Sequence, residues 1–332
     1  MTSSRHKKLI AYIILLIFMS CSLVFWSMYN LVATPLIPYE SPPVVIQVDK
    51  AATASHFVQT LKDKNLIQYH KPILLYIRAS GLAPKLKAGV YQVKPGENAM
   101  QLLERVASGD VVTQKFAIIA GTTQLKIAQD LMKAEHLDYH PEDWNAIQEN
   151  HPNVEGLVLA DTYQYQGGSS SKTLLLQAHR NLMTYLTKVW ENRAPNLPYK
   201  TPYELLTAAS IIEKESAVPQ ERQLISGVVV NRLNKKMPLQ MDPTVVYGLG
   251  AAYTGKLSHN DMQVDSPYNT YRYRGLPPTP IAMVSKEALD AAAHPQLSNY
   301  LYFVAKGDGT HQFSETYEQQ RQAINQFQRK GS

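Results

Sequence analysis

The stretch Thr207-Ala-Ala-Ser-Ile-Ile-Glu-Lys-Glu-Ser216 decides how this chain is read. Pro202 stands just upstream, where a fixed φ and a missing amide suit the first turn of a helix, and Pro219 closes the segment. Between them Leu205, Leu206, Ala209 and Ile212 recur at helical spacing and predict one apolar face. Glu213 and Glu215 lie at the end of that helix, about 160° apart at 3.6 residues per turn, one on each flank of the stripe. Residues two apart do not face each other, so these are not a paired carboxylate site. Periodicity leaves open which of them turns inward. A carboxyl group in apolar surroundings has a raised pKa and stays protonated near neutrality, which a general acid requires. On an open flank the same residues would be two solvated glutamates.

Polar segments follow. Asn231-Arg232-Leu233 ends a further helix expected over 223–233, and Leu239-Gln-Met-Asp-Pro-Thr-Val-Val-Tyr247 comes next. Gln240, Asp242 and Thr244 sit beside Pro243 in a region too polar for a core strand, and Tyr- and Gly-rich loops are expected beyond it. Ser266-Pro-Tyr-Asn-Thr-Tyr271 runs into Gly275-Leu-Pro-Pro278. Tyr268, Asn269 and Thr270 there carry groups that hydrogen-bond sugar hydroxyls and N-acetyl groups. A tight surface loop is the plainer reading, since proline and glycine produce one anyway. The histidines, among them His294 and His311, lack metal-ligand spacing. No phosphate-binding loop, nucleophile elbow or dinucleotide fingerprint occurs.

Together these segments resemble the YceG-like family, the endolytic murein transglycosylases. Glu155-Gly-Leu and Asp161-Thr-Tyr163 extend the likeness, although Ala160 replaces a proline usual in the family. The resemblance implies that Glu215 is the catalytic acid, with Glu213, Asn231 and Tyr271 in supporting roles. It implies that Gln240, Asp242, Thr244, Tyr268, Asn269 and Thr270 bind substrate, with no metal and no cofactor. The implied enzyme is a lytic transglycosylase cutting the β-1,4 bond between MurNAc and GlcNAc within peptidoglycan strands, leaving 1,6-anhydro ends. Peptidoglycan synthases are the implied partners. One acid suffices for that chemistry, whereas ordinary glycosidases use two carboxylates. Asp242 facing Glu215 would make a hydrolytic muramidase arguable, and a non-catalytic glycan-binding protein is the other alternative.

The amino terminus sets the topology. Leu9 to Tyr29 is 21 residues without a charge, about 30 Å of helix and enough to cross a bilayer core. Arg5, Lys7 and Lys8 precede it and no Lys or Arg follows until Lys50, which puts the first residues in the cytoplasm and the rest outside an inner membrane. An uncleaved anchor is favoured over a signal peptide, because the apolar run is long and no small-x-small site ends it. Cys21, the single cysteine, has no intramolecular partner, and the residues before it are too large for a lipoprotein signal.

The 332 residues, 45% hydrophobic and 18% charged with a formal charge of +6, fit a folded protein of about two domains. No basic stripe points to nucleic acid. The expected class is α+β, with a cytoplasmic tail at 1–8, a transmembrane helix at 9–32 and a proline-rich linker at 33–43. Strand-turn-helix successions at 44–118 resemble a small LysM-like module, and 119–332 forms the larger mixed catalytic domain with a helical active-site region. Expected elements include strands at 44–48, 87–93 and 115–119 and helices at 54–64, 100–107, 125–134, 173–189 and 286–293. A strand at 300–304 is expected to close the fold.

Overall fold

The computed structural model describes residues 2–50, 52–215 and 218–327. Its contacts separate two compact units, Met1–Gln114 with Glu135–Asp138 and Tyr165–Ser169, and Lys115–Ala134 with Tyr139–Gln164 and Ser170–Ser332. The architecture mixes helices with small two-stranded sheets.

The first unit begins with helix α1 (Thr2–Ala33), whose stretch Ile10–Ala33 contains an 18-residue window of mean hydropathy 2.3 and is long and apolar enough to cross a membrane. Strand β1 (Val44–Val48) then precedes α2 (Ala54–Asp63), α3 (His70–Ala79), β2 (Gly89–Val93) and α4 (Ala99–Ser108). β1 and β2 pair antiparallel, Ile46 opposite Tyr91. Local chemistry fixes the helix ends. The Thr53 hydroxyl accepts the His56 amide, and Asn98 and Gln101 form a reciprocal capping box. Gly109 ends α4 at φ +82°, a left-handed conformation that favours glycine. Ile46, Phe57, Leu61, Ile77, Tyr91 and Leu102 form the interior.

The expected linker is not a free tether. Leu31 from α1 and Ile37 after it are buried in the same core. The Asn98 side chain donates to the Val32 carbonyl (2.7 Å), and the Leu36 amide donates to the Glu97 carbonyl (2.7 Å). Proline blocks helix and removes donors, but the apolar residues between the prolines still find a core.

Strand β3 (Thr113–Ala117) pairs with β4 (Thr162–Gln166), and the chain passes from one unit to the other within both. The second unit holds α5 (Gln124–Leu131), α6 (Asn145–Gln148), α7 (Ser171–Glu191), α8 (Pro202–Glu215), α9 (Arg222–Asn234), α10 (Asp242–Leu249) and α11 (Lys286–Ala293). Hairpin β5 (Tyr302–Ala305) and β6 (His311–Ser314) and a last helix, α12 (Tyr317–Phe327), follow, so the strand expected to close the fold does not close it.

α8 is the axis of this unit. It packs against α7, α9, α10 and α11, and every residue from Leu205 to Ile212 is buried. The single apolar stripe read from the sequence is thus a helix enclosed on all sides. Thr207 and Ser210 are tolerated inside because the Thr207 hydroxyl donates to Tyr203 O, while Ser210 Oγ donates to Thr207 O and accepts the Ile281 amide. A second correction concerns the residues after Pro243. Loops were expected there, but Asp242 and Pro243 open α10, with proline in the first turn.

Candidate active site

Glu215 is the last residue of α8. It keeps an exposed edge, yet its carboxyl lies deep enough among protein atoms that burial pushes its pKa up to about 8, helped by the Asp242 charge. A group with that value is mostly protonated at neutrality.

Glu213, two residues earlier, has the opposite character. Its side chain is only 4% exposed and pairs with Arg222 of α9 at 2.9 Å. Its other oxygen accepts the amide of Ser285 at 2.8 Å and also the Ser285 hydroxyl. Ser285 caps α11, so Glu213 ties α8, α9 and α11 together. It is neither the solvated flank residue nor a free acid.

Asp242 opens α10, is exposed, and accepts a 2.5 Å hydrogen bond from the Tyr271 hydroxyl. Burial, then the Asp242 bond and charge, then the Glu215 charge, raise the pKa of Tyr271, placing these three groups in one electrostatic neighbourhood. Gln240 is exposed at φ +52°, a left-handed backbone rare for a residue with a side chain. Its side-chain oxygen accepts from Arg232 (3.0 Å) and its amide donates to the Thr270 carbonyl (3.1 Å). Tyr268 is half-buried, with its hydroxyl 2.9 Å from Thr279 Oγ1 and its ring edge-on to Tyr247.

The remaining expected contacts lie inside. Thr244, Asn269 and Thr270 are 0%, 1% and 2% exposed. Asn269 donates to the Met262 and Val264 carbonyls and accepts the Tyr271 amide, while Thr270 Oγ1 accepts the Met241 amide and lies 2.8 Å from Thr244 Oγ1. Direct sugar contact expected of these three is therefore corrected: their polar groups hold the loop that presents Tyr268 and Tyr271. Asn231 donates to the Ser298 and Tyr300 carbonyls and fixes the approach to β5.

Sequence reasoning singled out Glu155 only as part of a recurrent segment. It is 5% exposed, burial pushes its pKa up to about 7, and it accepts from the Gln124 amide and the Tyr247 hydroxyl. Residue type alone carries no signal of that burial.

The sequence profile of the YceG-like family matches residues 46–326. The chain belongs to the YceG-like family. An endolytic murein transglycosylase of Bacillus subtilis is 30% identical over 313 residues, covering 86% of this chain and 84% of the relative. A Streptococcus pneumoniae protein of the same name is 27% identical over 83% of this chain, which spans 57% of that longer relative. The crystal structure of a YceG-like protein from Listeria monocytogenes superposes with a TM-score of 0.53 at 28% identity, covering 84% of this chain and 98% of that one. Family membership and the mixed α/β fold agree with the expectations drawn from the motifs.

Proposed function

We propose that this protein is a lytic transglycosylase that cuts the β-1,4 bond between MurNAc and GlcNAc within peptidoglycan strands, with Glu215 as general acid and then base. The observation that carries this reading is Glu215 itself, a carboxyl at the end of a buried helix whose pKa is pushed up to about 8. In protonated form it gives its proton to the glycosidic oxygen. The bond from MurNAc C1 to that oxygen breaks, its electron pair leaving with the GlcNAc hydroxyl. The carboxylate so formed takes the proton of the MurNAc C6 hydroxyl, whose oxygen bonds to C1. Proton and electrons balance, no water is consumed, and a 1,6-anhydro end results. In this reading Gln240, Asp242, Tyr268 and Tyr271 meet glycan, with Thr244, Asn269 and Thr270 supporting them from within.

α1 serves as a single-pass anchor in this reading, with the basic leader in the cytoplasm and the catalytic unit outside. The antiparallel β1–β2 pair with its helices supports a LysM-like module, and the anchor suits work on strands leaving membrane-bound synthases. A muramidase is the second reading, favoured by the Asp242 charge that acts on Glu215. Mass spectrometry of digested peptidoglycan separates the outcomes. Anhydro-MurNAc ends support the proposal, reducing MurNAc ends support the muramidase, and no product leaves a binding protein.

A further inference from the structure

Helix α10 carries two acid contacts about one and a half turns apart. At its first turn Asp242 meets Tyr271 and acts on Glu215. Farther on, the Tyr247 hydroxyl donates to Glu155 Oε2 at 3.2 Å. Glu155 is itself fixed from other directions. Its Oε1 accepts the Gln124 amide at the start of α5 (2.9 Å), and its own amide donates to Asn153 (3.0 Å). The next residue, Gly156, sits at φ +76° with no room for a side chain, since an added Cβ would lie 2.4 Å from Pro280 Cβ. The backbone bearing Glu155 is therefore pressed against the 280–282 segment, which also contacts α8 through the Ile281 amide and Ser210.

We propose that Glu155 is a positioning residue for Glu215: through Tyr247 it fixes α10, which packs against α8, and with it the Asp242 carboxylate at the first turn of α10. The inference rests on Glu215 being the catalytic acid and extends that reading to a residue that does not touch the reacting bond. Tyr247 and Tyr203 are the titratable groups that interact with Glu155, with Tyr268 against both tyrosines, and among the described residues no cation neutralises it. Glu215 in turn is faced by Asp242 of α10 and Tyr271, with Arg232 of α9 beyond Tyr271. An ionised Glu155 makes a charge-assisted bond to Tyr247, stronger than a neutral pair and able to hold a short helix in register. Charge–charge energy varies inversely with separation, so a small displacement of α10 changes what Asp242 does to Glu215.

The test reads Glu215 directly. In full-length protein in detergent micelles, with glutamate side chains labelled at the carboxyl carbon, NMR titration follows Glu215, assigned by its loss in Glu215→Gln. Tyr247→Phe, which removes only a hydroxyl and no charge, is expected to lower the Glu215 midpoint, in the same direction as Asp242→Asn. In the Asp242→Asn background, Tyr247→Phe is expected to lower it no further, as coupled sites require. Glu155→Gln should behave like Tyr247→Phe. An unchanged midpoint in Tyr247→Phe, with thermal stability lowered or not, overturns the proposal, as do fully additive shifts. Because the titration needs no turnover, failure of the catalytic reading shows separately, as absence of anhydro products from the unaltered protein.

Discussion

Replacing Glu213 with glutamine tests the division of labour between the two glutamates of α8. The substitution keeps the side chain's size but removes the charge opposite Arg222, which is 14% exposed against 4% for Glu213. The two contacts to Ser285 are also put at risk, because an amide has one acceptor oxygen where the carboxylate has two. Removing one partner of a buried pair leaves an uncompensated charge and costs about 3–5 kcal/mol. For a unit of this size each kcal/mol shifts the midpoint by about 2–4 °C, so a fall of roughly 6–20 °C is expected. Thermal unfolding followed by circular dichroism measures it, with cleavage per folded molecule assayed well below the midpoint. The account requires a large loss of stability with cleavage nearly retained. A midpoint within about 1 °C of the unaltered protein, or lost cleavage in fully folded Glu213→Gln, would refute it.

Other perturbations separate further parts of the account. kcat/KM should fall above about pH 8 as Glu215 loses its proton, and Asp242→Asn, by removing a like charge, should move that limb to lower pH. Asn269→Ala should lower the unfolding free energy by about 1–3 kcal/mol, since it strips a buried amide from three backbone partners. Gln240→Ala should reduce turnover by roughly 2- to 13-fold, the value of one hydrogen bond to a neutral sugar, and lower stability less than Asn269→Ala, since Arg232 keeps three backbone carbonyls when it loses Gln240. A soluble chain starting at Thr34 should be less stable than one starting at Ser27 by about 1.5–3 kcal/mol, because only the longer one retains buried Leu31.

Local signals were the legible part. The helices expected at 54–64 and 100–107 form, capped by Thr53 and Asn98, and 44–48 is a strand as read. Pro202 likewise opens α8. The start of α10 was also written in Asp242-Pro243, a helix-opening pair, but the tyrosines and glycines that follow outweighed it. What stayed hidden was burial. Asn, Thr and Tyr in a Pro- and Gly-rich stretch suit sugar binding and loop bracing equally well. Only tertiary partners distinguish Asn269, turned inward, from Tyr271, turned toward Asp242. Glu155 was hidden for the same reason, its partners Gln124 and Tyr247 lying 31 and 92 residues away. Periodicity placed Glu213 and Glu215 on opposite flanks. It could not say that α8 is enclosed on every side, so that one flank meets Arg222 and the other the candidate site.

The most direct test of the central claim compares the unaltered protein with Glu215→Gln on intact peptidoglycan, counting 1,6-anhydro-MurNAc ends by mass spectrometry. Glutamine preserves the shape of the side chain but neither donates nor accepts the catalytic proton. General acid–base catalysis contributes about 10²–10⁴-fold, so release of anhydro ends should fall at least that far while the thermal midpoint stays close to normal. Near-normal release by folded Glu215→Gln would contradict the assignment of Glu215 as the acid.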